Sequence, residues 1–204
     1  MKLWHAAASP FVRKVMIVAH ESGQADDIEI LAASTTPVKR DEGLAADNPV
    51  AKIPAMVLDD GQIIFDSRVI CAYLDDRNSG DKLIPASGGE RWRAMTLEAL
   101  GDAIMDAAVI SRYEMAVRPE EKRWQGWVDG QMLKVNTALD RLENDWTGVL
   151  KGPVTVGTAA IAAALGYLDF RYADFDWRAE RPALAGWYEV FSMRESMKAT
   201  APAG

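Results

Sequence analysis

A proline before a predicted strand and a serine at a predicted helix start form the most informative part of this sequence. Residues 48–58 read Asn-Pro-Val-Ala-Lys-Ile-Pro-Ala-Met-Val-Leu, and Phe-Asp-Ser follows at residues 65–67. A cis peptide bond before proline costs only roughly 0.5–1 kcal/mol. A cis bond at Pro54 would turn the backbone N–H and C=O of Ile53 away from the sheet and towards a ligand. Because the Ser67 hydroxyl has the chemistry to cap a helix, the two features together indicate a site for an extended, peptide-like anion.

Metal and disulfide chemistry are not indicated by the remaining reactive residues. The histidines are His5 and His20, and they do not have the spacing of metal ligands. Cys71 is the single cysteine, which excludes an internal disulfide framework. We therefore expect both histidines to be structural, Cys71 to be a small buried apolar residue, and no metal to be bound.

Composition and charge limit the class of protein. The chain has 204 residues, of which 49% are hydrophobic, with a net charge of −7 and a sequence pI near 4.9. No basic stripe is present, which argues against nucleic-acid partners. No apolar run approaches the ~20 residues that a membrane span needs, and the start is too short for a signal peptide. These features predict a cytoplasmic protein with no membrane partner.

The first part of the chain predicts an α/β layer. Ser9 suits the N-cap of a helix and Pro10 its first position. Asp60-Gly61 between apolar runs predicts a hairpin turn. The predicted strands cover 2–5, 28–31, 55–58 and 62–65, with helices beginning at Ser9 and Ser67 and one short helix within 34–47.

Strand signals disappear after residue 90, which predicts an all-helical second part. We expect helices over 91–117, from Pro119 to about 146, over 155–172 and over 183–193, followed by a loose tail from residue 199. The chain is therefore divided into an α/β domain at 1–77, a linker at 78–89 and an all-α domain at 90–204.

This layout, together with several motifs, resembles the cytosolic glutathione transferases over the whole length. The motifs are Asn48-Pro49, Lys52-Ile53-Pro54, Asp59-Asp60-Gly61, Asp66-Ser67, the stretches 97–107 and 164–171, and a Ser-Pro-Phe-Val-Arg-Lys start that is similar to a bacterial group. The resemblance implies a thioredoxin-like N-terminal domain that binds glutathione and an all-helical C-terminal bundle that supplies the co-substrate pocket. It also implies a homodimer.

For catalysis, the resemblance assigns Ser9 to the glutathione sulfur. A free cysteine thiol has a pKa of roughly 8.5, and a hydroxyl at a helix N-terminus can stabilise the thiolate. The alternative is that Ser9 is only a helix cap. Ala6, Ala7 and Ala8 leave no tyrosine or cysteine nearby for the same role, and the lack of a protein thiolate argues against thiol–disulfide exchange.

For binding, the resemblance distributes the tripeptide over the Lys52–Ser67 segment. Ser67 and the helix that follows it suit the α-carboxylate of the γ-glutamyl group, and Asp66 its ammonium. The Ile53 backbone would pair with the cysteinyl backbone in the manner of an added strand. Lys52 is a candidate for the glycyl carboxylate, or else a solvated lysine, and Phe11 lines the sulfur or packs inward.

The co-substrate pocket is less well specified by sequence. Met105, Arg112 and Tyr113 on the first long helix are candidates to face the cleft, although residues at such spacing more often belong to a core. By analogy, Asp102 reaches the glutathione ammonium of a partner subunit. The family's usual Ser/Thr-x-x-Asp capping box is replaced by Thr155-Val-Gly-Thr158. A helix cap of this kind contributes ~1 kcal/mol to stability, and this contribution is in question here.

The leading hypothesis is an enzyme of detoxification that conjugates the glutathione thiolate to small hydrophobic electrophiles. One alternative is a non-catalytic glutathione-binding or protein-interaction module in which Ser9 is idle. Another is a glutathione-dependent isomerase, dehalogenase or peroxidase on the same scaffold, because fold does not determine function.

Overall fold

The N-terminal part of the computed structural model, which describes residues 1–203, is a four-stranded sheet flanked by helices. A short 3₁₀ turn, Ala25–Asp27, precedes the second strand. The elements are β1 (Lys2–His5), α1 (Pro10–Glu21), β2 (Glu29–Ala32), α2 (Glu42–Asp47), β3 (Ala55–Val57), β4 (Ile63–Ile64) and α3 (Ser67–Arg77). The predicted order of elements is confirmed.

The sheet has the order β2-β1-β3-β4 and mixed strand directions. β1 runs parallel to β2 and antiparallel to β3, with Trp4 opposite Ala55. β3 is antiparallel to β4, with Met56 opposite Ile64. Consequently the end of β1, the start of β3 and the end of β4 meet at one edge of the sheet.

The C-terminal part is helical, as predicted. Its helices are α4 (Gly88–Ala116), α5 (Gln125–Arg141), α6 (Thr147–Leu150), α7 (Val156–Arg171), α8 (Pro182–Ser192) and α9 (Glu195–Ala199). The first thirteen residues of α7, from Val156 to Leu168, are all buried, so this helix forms the centre of the domain. None of the helices within residues 1–203 has the length and apolar character that a membrane crossing requires.

Two glycines allow α4 and α7 to pack closely. A Cβ atom at Gly157 would lie 2.5 Å from the Ala94 carbonyl oxygen, and one at Gly101 would lie 2.7 Å from the Ala160 carbonyl carbon. Because these neighbours are backbone atoms, a side chain at either position would push the helices apart. The predicted close packing of this alanine-rich helix is confirmed.

Helix α7 begins with a capping box made of two threonines. The Thr155 hydroxyl accepts from the Thr158 N–H at 3.3 Å, and the Thr158 hydroxyl accepts from the Thr155 N–H at 2.8 Å. The hydroxyl of Thr158 therefore performs the hydrogen bonding that a carboxylate performs in the usual box.

Two predictions about the helical part are wrong. Pro119 precedes only a 3₁₀ turn, Glu120–Lys122, and α5 begins at Gln125. The predicted tail from residue 199 starts too early, because Ala199 is the last residue of α9, a helix that the sequence did not predict and that is tied to α1. The Glu21 carboxylate of α1 accepts from Arg194 at 2.6 and 2.7 Å and from the Ser196 hydroxyl at 2.5 Å.

Candidate active site

The sheet edge brings three sequence-predicted segments together. The loop after β1 leads to Ser9, Pro54 precedes β3, and Asp66 follows β4. The pairing of Trp4 with Ala55, and of Met56 with Ile64, makes these strand ends neighbours. Residues separated by more than fifty positions in sequence therefore share one edge.

Ser9 is the N-cap of α1. Its hydroxyl oxygen accepts from the Val12 N–H at 3.3 Å, and it donates no hydrogen bond within residues 1–203. The cap therefore leaves the hydroxyl proton free for a ligand. Ser9 can therefore cap α1 and also donate to a ligand, because the cap uses an oxygen lone pair and the donation uses the hydroxyl proton.

The loop before β3 is held by a buried asparagine. The Asn48 side-chain amide donates to the Lys52 carbonyl at 2.7 Å, and its oxygen accepts from the Val50 N–H at 3.3 Å. The Ile53–Pro54 bond is cis, and Ile53 has no backbone partner among the turns and loops of residues 1–203. Sequence reasoning missed this role of Asn48; the only signal was its place before a proline.

The start of α3 differs from the prediction in its cap. Asp66 is the N-cap, accepting from the Arg68 N–H at 3.0 Å, and Ser67 is the first helical residue. Ser67 is buried, but its hydroxyl makes no hydrogen bond within residues 1–203. The Ser67 hydroxyl and the N-terminal amides of an 11-residue helix can therefore receive an anion.

A buried ion-pair cluster connects the two domains beside this helix. Lys14 on α1 is 0% exposed, and its ammonium donates to Asp102 at 2.8 Å and to Glu98 at 3.1 Å. The Arg68 side chain donates to Asp102 at 2.6 Å. Burial opposes the charge of Lys14, but the neighbouring Cys71, Asp102 and Glu98 outweigh it and raise the pKa of this lysine. Sequence reasoning placed no role on Lys14.

Asp102 is thus engaged within its own chain. Its carboxylate is 4% exposed and accepts from both Lys14 and Arg68, which leaves little of it free to reach a partner subunit's glutathione. Cys71 is fully buried beside the same cluster, and burial raises the pKa of its thiol to about 12. The interpretation of Cys71 as a buried apolar residue is confirmed.

A narrow crevice next to Ser9 is closed by the C-terminal residues. It is lined by Ser9, Tyr167 and Ala163 of α7, and Pro202. Arg13 of α1 secures the last turn, because its guanidinium donates to the Met197 carbonyl at 3.2 Å. The segment after α9 therefore forms part of the wall around the Ser9 hydroxyl.

The remaining predicted pocket residues have different environments. Met105 is 0% exposed and belongs to the core, so its side chain does not face an open cleft. Phe11 is half-buried and packs against that core. Arg112 and Tyr113 are half-exposed on α4, and Lys52 is exposed. Within residues 1–203, no group of three His, Cys, Asp or Glu side chains is arranged to hold a metal ion.

Comparison with known proteins identifies the family. The family model described as "Glutathione S-transferase, N-terminal domain" matches residues 8–77, and that described as "Glutathione S-transferase, C-terminal domain" matches residues 125–189. The uncharacterized GST-like protein YibF of Escherichia coli is 37% identical over 99% of this chain and 98% of its own length. The chain belongs to the glutathione transferase family.

Solved structures of other glutathione transferases superpose on the whole chain. A family member from Pseudomonas fluorescens Pf-5 with bound glutathione has a TM-score of 0.98 and 48% identity, covering 100% of this chain and 99% of the relative. A structure of a Pf-5 family member with bound S-(propanoic acid)-glutathione has a TM-score of 0.93 and 46% identity, with 100% of both chains covered. A glutathione S-transferase from Methylobacillus flagellatus with glutathione bound gives 0.88 and 34%, covering 99% of each chain. The mixed sheet followed by a helical domain is therefore the glutathione transferase fold.

Proposed function

We propose that this protein conjugates the glutathione thiolate to small hydrophobic electrophiles. The observation that carries this proposal is the sheet edge at which Ser9, Ile53 and Ser67 meet, each with an unused hydrogen-bonding group. One hydroxyl donor, one free backbone segment and one helix N-terminus match the thiol, the cysteinyl backbone and the γ-glutamyl carboxylate of glutathione.

The relatives support glutathione as the bound co-substrate. Structures from Pseudomonas fluorescens and Methylobacillus flagellatus, at 48% and 34% identity, hold glutathione. Another Pseudomonas fluorescens structure holds glutathione with a substituent on its sulfur. An S-substituted glutathione has the chemical form of a conjugation product, which favours conjugation over simple storage of the tripeptide.

In the proposed reaction, the Ser9 hydroxyl donates to the glutathione sulfur and α1 directs its N-terminus towards it. Both favour the thiolate over the thiol. The thiolate attacks the electrophilic carbon to form a carbon–sulfur bond. The thiol proton passes to solvent, and the electrophile either loses its leaving group with the bonding electron pair or, in an addition, takes up a proton at the neighbouring carbon.

Binding of the tripeptide is assigned to the rest of the edge. Ser67 and the first amides of α3 receive the γ-glutamyl carboxylate, the exposed Asp66 the ammonium, and the exposed Lys52 the glycyl carboxylate. The Ile53 backbone pairs with the cysteinyl unit. Arg68 follows Ser67 and donates a hydrogen bond to Asp102 at 2.6 Å. The start of α3 is therefore held in position by the C-terminal domain.

We further propose that the active protein is a homodimer. Phe65, Val69, Trp92 and Met95, on or near α3 and α4, are large apolar side chains that are between 37% and 65% exposed. Exposed apolar side chains of this size favour a surface that pairs with another protein. Sedimentation equilibrium checks this, and a monomer at all concentrations would contradict it.

The proposed function is tested with Ser9→Ala, which removes the donor, and with Ser22→Ala, which removes a hydroxyl at the other end of α1 as a matched control. Ultraviolet titration of bound glutathione measures its thiol pKa. We expect this pKa to rise by about one unit in Ser9→Ala, equivalent to ~1.4 kcal/mol, with a matching decrease in conjugation rate. Ser22→Ala should change neither quantity.

Three outcomes would contradict parts of this proposal. An unchanged thiol pKa in Ser9→Ala would remove Ser9 from the mechanism. Tight glutathione binding without turnover of any electrophile would favour a binding module. If the native chain bound no glutathione, the whole assignment would fail.

A further inference from the structure

The face of α7 that leads away from Ser9 carries an arginine one turn beyond the crevice. Tyr167 lines the crevice with Ser9, and Arg171 follows four positions later on the same helix. Residues four apart lie on one face of a helix, one turn or ~5.4 Å along its axis. Arg171 therefore lies one helical turn beyond Tyr167, a residue that lines the crevice at Ser9.

A second arginine is brought to the same place by the packing of α7 on α4. The Tyr172 hydroxyl donates to the Ala108 carbonyl at 2.5 Å, and Arg112 lies one turn beyond Ala108 on α4. The two guanidinium groups are close enough that burial and the positive charge of Arg112 lower the pKa of Arg171. The Tyr172–Ala108 hydrogen bond thus joins the C-terminal turns of α4 and α7, each of which carries one of these arginines.

These two arginines have no hydrogen-bond or ion-pair partner in the described part of the chain, in contrast to the other arginines; the Arg171 guanidinium only stacks on the Phe170 ring, 3.8 Å from its centroid. Neither Arg112 nor Arg171 makes a side-chain hydrogen bond or ion pair within residues 1–203, whereas every other arginine donates at least one. The chain has 30 Asp and Glu residues against 23 Lys and Arg, so acidic partners are plentiful. A repulsive, unpaired arginine pair in an acidic protein has the chemistry of an anion site.

The phenol of Tyr167 adds a third donor. It is buried, and its hydroxyl makes no hydrogen bond within residues 1–203. Burial raises the pKa of Tyr167, so the phenol stays protonated at neutral pH and can donate. Tyr167 therefore adds a donor at the crevice beside Ser9, and Arg171 follows one turn farther along α7.

We propose that Arg112 and Arg171 bind an anionic group of the co-substrate, so that the preferred electrophile has an apolar body bearing a carboxylate or sulfonate. This inference rests on the proposed function and names its substrate class. The anion binds the arginine pair on one side, and the electrophilic carbon faces the thiolate at Ser9 on the other. A bidentate arginine–carboxylate contact would also orient the electrophile for attack.

The reaction itself can be written for a suitable probe, 4-chloro-3-nitrobenzoate. The glutathione thiolate attacks the carbon that bears chlorine, a carbon–sulfur bond forms, and chloride leaves with the electron pair of the carbon–chlorine bond. The thiol proton is released to solvent. The carboxylate takes no part in these bond changes and serves only as the group that the arginines bind.

Binding of stable S-substituted glutathiones tests the inference without turnover. Calorimetry would compare S-(4-carboxybenzyl)glutathione with S-benzylglutathione in the native chain, in Arg112→Met and in Arg171→Met. We expect each variant to bind the carboxyl-bearing compound about tenfold more weakly, as for a lost charge-assisted hydrogen bond. Affinity for S-benzylglutathione should stay unchanged, which also shows that the variants are folded.

Matched variants sharpen this experiment. Arg141→Met removes an exposed arginine of α5 that pairs with Asp145, and it should leave both affinities unchanged. Arg171→Lys keeps the charge and should retain part of the preference. Turnover provides a second readout: the ratio of kcat/KM for 4-chloro-3-nitrobenzoate to that for its methyl ester should decrease about tenfold in each methionine variant.

The outcomes separate this inference from the proposed function. The anion site would be overturned if Arg112→Met and Arg171→Met weakened binding of the charged and the neutral compound equally. It would also be overturned if neither variant changed the preference for the charged compound. In both cases the proposed conjugation would stand. If neither compound nor glutathione bound to the native chain, the proposed function would fail, and the inference would fail with it.

Discussion

Two groups of charged side chains lie along α4, and they differ in whether the chain itself satisfies them. Towards the start of the helix, Lys14 of α1 is fully buried between Glu98 and Asp102. Towards its end, Arg112 and Arg171 make no ion pair within residues 1–203. The satisfied group joins the two domains and supports the start of α3, whereas the unsatisfied group lies at the C-terminal turns of α4 and α7. Charged side chains with partners in the chain stabilise the fold, and charged side chains without such partners remain available to a ligand.

The largest effect is expected at the satisfied group. Lys14→Met leaves the buried Glu98 carboxylate without its cation and Asp102 with only Arg68, and removing one member of a buried ion pair costs about 3–5 kcal/mol. Denaturant unfolding measures this decrease. Lys134→Met, which removes an exposed lysine of α5, is the control and should stay within about 0.5 kcal/mol. A loss below about 1 kcal/mol for Lys14→Met would show that water reaches the group and that it does not differ from the arginine pair.

A smaller loss of unfolding free energy is expected where α7 packs on α4, between the two charged groups. In Gly157→Ala the new methyl would meet the Ala94 carbonyl oxygen at 2.5 Å, and such overpacking costs about 1–3 kcal/mol. Gly130→Ala on α5, where no atom lies within 4 Å of the new Cβ, should instead gain about 0.5–1 kcal/mol. Equal unfolding midpoints for these two variants would contradict the close helix contact.

An intermediate effect on stability is expected at the partly exposed ion pair between Glu21 and Arg194. Burial opposes the charge of Glu21, but hydrogen bonds from Arg194 and Ser196 outweigh it and lower its pKa below 4.5. A carboxyl whose pKa is lower in the folded state stabilises the protein above its unfolded pKa, and this contribution is lost as the pH falls through the folded value. Glu21→Gln should therefore cost about 1 kcal/mol at pH 7.

Unfolding curves of native chain and Glu21→Gln at a series of pH values measure this difference. It should be full above pH 4.5 and disappear in more acidic solution. A difference that stayed constant through the acid range would show that packing of the side chain, and not its charge, holds α9 against α1.

The smallest effect on stability is expected at the arginine pair. Arg112→Met and Arg171→Met remove charges that have no ion-pair partner, and Arg171→Met also removes the contact with the Phe170 ring, so each should change the unfolding free energy by no more than about 1 kcal/mol. Denaturant unfolding checks this. A loss comparable to that of Lys14→Met would mean that the pair has a structural partner, and the contrast between the two groups would disappear.

The order of elements could be predicted from sequence because local signals mark it. Ser9-Pro10 begins a helix, Asp60-Gly61 makes a turn, and the alanine-rich stretch after Thr155 forms the buried helix. Each of these signals depends on residues within a few positions of one another, as do caps and turns in general.

The parts that sequence did not predict depend on distant partners. Lys14 has the same sequence signature as any exposed helix lysine, and its burial follows only from carboxylates more than eighty positions away. The short helix α9 is held against α1 by the bonds from Arg194 and Ser196 to the distant Glu21. Arg171 could be related to Ser9 only after the register of α7 against α1 was known.

Arg13 limits how this sequence can change in evolution. The buried guanidinium of Arg13 occupies the space above Gly166, where any added Cβ would overlap it. A lineage that gains even a methyl group at position 166 must lose or reorient Arg13, and with it the bond to the Met197 carbonyl that brings Pro202 to the crevice. Positions 13 and 166 are therefore expected to covary among relatives, and lineages that differ at this pair should differ in which electrophiles they accept.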